Sequence, residues 1–275
     1  MICIYCDNKN SAISVDHIVP EAFGNKKYIT QKGQVCDKCN NKFSKFEAIA
    51  LANSMFVVVR AILGVPSKKG KNAKGKVGEF TIEGDENFKR NVITLQGPKE
   101  NFKKDPQTNT GKVIIPHFNK SEVATSKLLL KMAFSSIFTS RRDLFIKYDF
   151  SEAKDFILSK NNIDWPFTLS SFEPSKFTSI PKYGDKYNLN RIKCFLTYCE
   201  LNDKTFLFMF KFGKISMVTN LLNRSLNWIN EYLKNDQSTR LYPDHYNRKP
   251  PNWPKLAQIV MTSPKYFSIV FTLLF

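Results

Sequence analysis

Long apolar runs are missing from this sequence. The two most apolar stretches, Met55 to Val65 and Tyr266 to Phe275, are too short to cross a bilayer, and Arg60 interrupts the first. The opening Met1-Ile2-Cys3-Ile4-Tyr5-Cys6 lacks the basic, apolar and small-residue regions of a secretory signal. A basic amphipathic helix and a lipid anchor are also missing, which argues against a membrane surface as partner. There is no repeat and no glycine-rich phosphate loop, so solenoid and P-loop architectures are set aside. Acidic residues are scarce beside basic ones: 24 Asp and Glu face 42 Lys and Arg, a net charge of +18. That excess goes beyond what solubility needs and suits a polyanion, nucleic acid first. The expected location is cytoplasmic, where thiols stay reduced and cysteine pairs are read as metal ligands before disulfides.

The charge is unevenly spread. Residues 1 to 50 hold seven Lys and five acidic residues, a net of +2, and four of the six cysteines. The pattern predicts an α+β protein with a small metal-built N-terminal unit over residues 1–66, a basic loop over 67–78, and a larger α+β unit over 79–275. Apolar residues at helical spacing from Asn40 to about Leu63 predict one long helix, stopped by Gly64 and Pro66. The loop "SKKGKNAKGKVG" carries Lys68, Lys69, Lys71, Lys74 and Lys76, and reads equally as a solvated linker or a phosphate-gripping segment.

Further on, residues 79–83, 91–96 and 112–116 read as short strands, and 121–138 as a helix. A helix capped by Ser151 runs to about Leu158, and another spans Ser225 to Lys234. Between these last two, turns at Asn202-Asp203 and at Gly213 separate β-rich segments. His117 and His245 have no ligand-like neighbours in sequence, and Cys194 and Cys199 are spaced as ordinary thiols.

Cys3 and Cys6 form one C-x2-C pair, and Cys36 and Cys39 form a second. Each such knuckle turns two thiolates to one side, and two knuckles complete a tetrahedral site that Zn²⁺ fills at ~2.3 Å from each sulfur. A unit this small can scarcely hold together on apolar burial alone, so zinc and folding should be coupled. With four protein ligands the zinc is closed and structural. It ties together the loop bearing Asp16 and His17 and the helix that follows Cys39, so His17 and Asn40 can converge.

The segments "CIYC", "SVDHIVPEAFGN" and "VCDKCNNKFSKFE" together resemble the HNH endonuclease family, in its zinc-stapled subgroup with an Asn directly after the fourth Cys. The resemblance covers about residues 1 to 50 and implies a ββα-metal fold. It further implies a phosphodiester hydrolase acting on nucleic acid, with double-stranded DNA the expected substrate. In that scheme His17 is the general base that activates water, and Asp16 and Asn40 hold a catalytic Mg²⁺ or Mn²⁺. A neutral imidazole can take a proton near pH 7, and hard oxygen ligands suit those ions. The family's middle Asn, which orients the His, has Asn25 and Gln34 as candidates. Glu47, two helical turns after Asn40, either supports the site from behind or is a solvated residue, and the second is the plainer reading.

Pro20 and Gly24 are expected to shape the loop. The basic body either grips the duplex or restrains the nuclease until a regulatory ligand or protein partner binds. The non-enzymatic alternative is a zinc-stapled nucleic-acid-binding module without a cation site.

Overall fold

In a computed structural model of the chain, the described residues are 1–9, 12–53, 55–105, 107, 110–115, 122–159, 165–171, 194–213, 215–228, 259–260 and 269–274. They form an α+β fold of helices and three open antiparallel sheets. Sequence expectations at Pro116, His117, His245 and residues 229–234 lie outside the described residues.

The predicted long helix is two helices, α1 (Asp37–Asn53) and α2 (Met55–Leu63), whose directions differ by 67°. Their burial patterns explain the break. Helix α1 is amphipathic and buries the stripe Cys39, Phe43, Phe46 and Ala50, whereas α2 buries every residue from Met55 to Ala61. The bend takes α2 off the surface into the core. Its one cation, Arg60, donates to the carbonyls of Ala22 (2.9 Å) and Leu51 (3.3 Å); burial pulls it down to about 10, still charged at neutral pH. No single helix among the described residues is long and apolar enough to cross a membrane.

The 67–78 segment is not wholly a loop. Strand β1 (Lys74–Val77) pairs with β2 (Phe80–Gly84), which pairs with β3 (Ile93–Gln96). Alternation supplies the reason: Ala73 and Val77 are buried while Lys74 and Lys76 stay exposed. Gly75 is a close-approach glycine, because a Cβ there would lie 1.8 Å from the Ala52 carbonyl oxygen at the end of α1.

Strands β4 (Phe102–Asp105) and β5 (Thr110–Ile115) precede the central helix α3 (Glu122–Ser140) and the shorter helices α4 (Arg142–Lys147) and α5 (Ser151–Leu158). Ser151 is the first residue of α5 rather than its cap, and its N–H is taken by the Asp149 carboxylate at 2.8 Å. Then come β6 (Phe167–Ser171), β7 (Cys194–Asn202), β8 (Thr205–Phe212), β9 (Ile215–Asn220), β10 (Ile259–Val260) and β11 (Ile269–Leu274). The larger sheet runs β10-β6-β9-β8-β7, and the third runs β11-β5-β4. The expected turns at Asn202-Asp203 and Gly213 join β7 to β8 and β8 to β9.

One apolar core joins the N-terminal segment to the rest. Tyr5, Phe23 and Phe43 share it with Leu128, Phe134, Phe206, Phe210 and Phe212. Phe23 is the main anchor, its ring centre lying 4.7 Å from that of Phe212, 4.9 Å from Phe56 and 5.2 Å from Phe210. Replacing Phe23 by Ala is expected to cost about 3–5 kcal/mol, from lost transfer energy plus an unfilled cavity. Denaturant unfolding checks this, and a midpoint unchanged from wild type would mean the anchor carries little.

Candidate active site

The two cysteine knuckles bring the sulfurs of Cys3, Cys6, Cys36 and Cys39 within 4.8 Å of one another. Backbone N–H groups point at them: Cys36 N donates to Cys3 Sγ and Cys39 N to Cys36 Sγ, each at 3.4 Å. A hydrogen bond from Cys39 holds the Cys3 thiol well below the usual thiol range. Four soft donors converging on one point form a tetrathiolate set of the kind that Zn²⁺ fills. Cys194, outside this set, is half-buried, and desolvation pushes it up to about 12.

Asp16 and His17 sit on the first arm of a short hairpin. Thr30 N donates to Asp16 O (2.8 Å), Ile18 N donates to Tyr28 O (3.1 Å), and His17 bridges Ile29. The far end is held by Asn25, whose amide donates to the carbonyls of Val19 (2.6 Å) and Tyr28 (2.8 Å) and accepts from Tyr28 N (2.9 Å). Gln34, the other candidate for that part, accepts from Gln31 N (2.8 Å) in the next turn. Gly24, with φ +84°, closes the single 3-10 turn Glu21–Phe23 that follows Pro20.

His17 is partly exposed, and its Nε2 lies 3.3 Å from Glu21 Oε1; the second Glu21 oxygen meets Lys68 at 3.2 Å. Sequence reading passed over Glu21, although its i,i+4 spacing from His17 within "DHIVPE" was a usable signal. Asp16 is only 4 % exposed. Its Oδ1 pairs with Lys131 of α3 at 2.9 Å, while its Oδ2 is buried and has no hydrogen-bond partner among the described residues. Burial lifts the Asp16 carboxyl above the usual range, with Lys131 opposing it. Burial also works against the Lys131 charge, but Asp16 and Glu47 outweigh it and hold the ammonium above the ordinary lysine range.

Glu47 is therefore not a solvated bystander, since its Oε1 is 3.0 Å from Lys131 Nζ. Asn40 also differs from expectation. Helix α1 begins at Asp37 and not at Asn40, so the Asn40 N–H is already an intrahelical donor, to Cys36 O (2.9 Å). The Asn40 side chain donates to Ser14 Oγ at 3.2 Å, which ties it to the segment leading into Asp16. The Asp37 carboxylate in the first turn receives Ser14 N (3.2 Å) and Ile13 N (3.3 Å), a placement the helix dipole favours. Of the five candidate lysines, all exposed, Lys68 pairs with Glu21 and Lys74 with Glu83 at 2.8 Å.

A hairpin carrying Asp-His, a helix carrying Asn, and a tetrathiolate between them are the parts of a ββα-metal unit. Residues 3–54 match the HNH endonuclease family. The N-terminal segment is thus an HNH module, and the match leaves residues 55–275 outside it. Comparison with curated proteins and with solved structures gave no match.

Proposed function

We propose that the protein is a metal-dependent HNH endonuclease that hydrolyses phosphodiester bonds of nucleic acid, with double-stranded DNA as substrate and a structural zinc in the tetrathiolate. The observation that carries this reading is the site itself: a partly exposed His17 beside a buried Asp16 with an unpartnered oxygen, both fixed by a hairpin held near the zinc knuckles. An acceptor oxygen buried without a donor is costly unless a cation takes it. A carboxylate oxygen of Asp16 and the amide oxygen of Asn40 are the hard oxygen donors that would hold Mg²⁺ or Mn²⁺. When bound, such an ion polarises the phosphate and offsets charge on the leaving 3′ oxygen.

The protein's own groups supply the rest. His17, exposed enough to meet solvent, takes the proton of the attacking water at an imidazole nitrogen. Glu21 Oε1 lies 3.3 Å from Nε2 and holds the ring there. Lys68 ties Glu21 to the basic segment, whose exposed Lys69, Lys71 and Lys76 suit phosphate contacts that set position rather than sequence.

The test is incubation of purified, zinc-loaded protein with supercoiled plasmid in Mg²⁺, Mn²⁺ or a chelator. Cation-dependent nicking or linearisation is expected. A protein that binds plasmid yet leaves it intact with either ion would be a binding module instead. A companion prediction concerns Asn40: because its side chain meets only Ser14 among the described contacts, Asn40→Ala should leave melting nearly unchanged. It should raise the Mn²⁺ concentration for half-maximal cleavage about 10- to 100-fold, in line with losing one oxygen ligand or its support. An unchanged metal midpoint would remove Asn40 from the cation site.

A further inference from the structure

Lys131 has no exposed surface and lies mid-way along α3 between Leu128–Leu130 and Met132–Phe134, all of them buried. Its ammonium has three N–H donors and meets three oxygens: Asp16 Oδ1 at 2.9 Å, Glu47 Oε1 at 3.0 Å, and the carbonyl of His17. Two of these belong to consecutive residues, the ones assigned above to the cation and to the water. The register of α3 against the module is set independently. The Tyr5 hydroxyl, between the first two cysteines, donates to Lys131 O (2.9 Å) and pairs with Ser135 Oγ (2.7 Å) one turn later.

Stability alone is a poor reason for such an arrangement. The attraction within a buried triad at best offsets the desolvation of its charges, and apolar side chains of similar size commonly serve folding as well. What an ammonium adds is direction. It takes one oxygen of Asp16 and leaves the other unpartnered, and it fixes the peptide of His17 from behind.

We propose that Lys131 is a positioning residue of the nuclease site, supplied by a helix outside the HNH match, which orients Asp16 and His17 together. This role rests on the nuclease reading above. It makes α3 part of the active site's support rather than a separable neighbour, so movement of α3 would reach both residues at once.

The test compares Lys131→Met/Glu47→Gln with Glu47→Gln and wild type. In the double variant the summed formal charge of the three positions equals that of wild type, whereas Glu47→Gln keeps Lys131 and removes one carboxylate, so the two controls together separate charge from position. Lys131→Met by itself strands two carboxylates and is used only if it folds. Three measurements are made on zinc-loaded full-length protein: kcat and KM on plasmid, Mn²⁺ binding by electron paramagnetic resonance, and the imidazole NMR signals of the three histidines. The His17 signal is identified by its loss in His17→Ala. The expected result for the double variant is kcat about 10²-fold below both wild type and Glu47→Gln with KM within threefold, as a misplacement of about 1 Å would cause. The His17 signal should move, and Mn²⁺ binding should weaken.

Wild type that cuts beside a double variant that cuts equally, with His17 unmoved, would overturn the role of Lys131 and leave the nuclease reading intact. Wild type that neither cuts nor binds Mn²⁺ would remove the nuclease reading. The His17 signal then still decides whether Lys131 holds the Asp-His step, and an unmoved signal refutes that too.

Discussion

Replacing His17 by Ala is expected to abolish most plasmid cleavage, by about 10²–10⁴-fold in kcat, while the protein still folds, holds zinc and binds DNA. The magnitude is what a positioned general base contributes to proton transfer. Folding should persist because the structural work of residue 17 is done by its backbone. The bridge to Ile29 and the carbonyl taken by Lys131 both survive the substitution. The lost side chain is partly exposed, and its described ion contact is with Glu21 at 3.3 Å. A pair of that kind contributes little to stability, about 0–1 kcal/mol. Melting temperature and zinc content should therefore match wild type, and KM for plasmid should change far less than kcat. Cleavage at the wild-type rate would mean that the base is another group.

The candidate site was legible in sequence to the extent that it is local. Cys3, Cys6, Cys36 and Cys39 declare themselves by spacing, and Asp16, His17 and Asn40 by order relative to them. Asn25 was named as a candidate for orienting His17, and the bonds described for its amide instead close the hairpin through Val19 and Tyr28. Reading failed where the partner is far along the chain. Lys131 meets His17 across 114 positions, and no periodicity links them. In a helix a lysine is ordinarily solvated, so only its setting, "LLLKMAF", hinted that its charge would need buried carboxylates. Phe23 was quoted inside the motif and credited with nothing, because a ring's neighbours are set by tertiary packing against α2 and β8. Helix boundaries slipped for a similar reason. Asp37 enters α1 because its carboxylate finds Ser14 and Ile13, and the bend before α2 answers to a core that sequence does not display. The glycines of 67–78 suggested freedom, yet Gly75 is there so that β1 can approach the end of α1.

Loss of the zinc ligands should have the widest effect of all. Cys39→Ser, or chelation strong enough to strip the tetrathiolate, is expected to remove bound zinc, abolish cleavage and lower the melting temperature by about 10 °C or more. Structural zinc in small zinc-finger modules is worth on the order of 10–16 kcal/mol of coupled folding and binding. Here Tyr5, Phe23 and Phe43 anchor the module in a core that does not depend on the metal, so only part of that should be lost. Even about 4 kcal/mol shifts melting by about 8–16 °C in a chain of this size.

The catalytic loss follows from connection. Cys36 and Cys39 flank the start of α1, which carries Asn40 and Glu47, and Cys3 and Cys6 flank Tyr5, which sets the register of α3 and so of Lys131. Freeing the knuckles therefore loosens Asp16, His17 and Asn40 together. Cys199→Ser is the control, because Cys199 lies outside the four-sulfur set and should leave zinc, melting and cleavage near wild type. Zinc per chain by mass spectrometry, read beside circular dichroism and plasmid cleavage, distinguishes the cases. A Cys39→Ser protein that keeps one zinc and full cleavage would show that the tetrathiolate is not what holds the site.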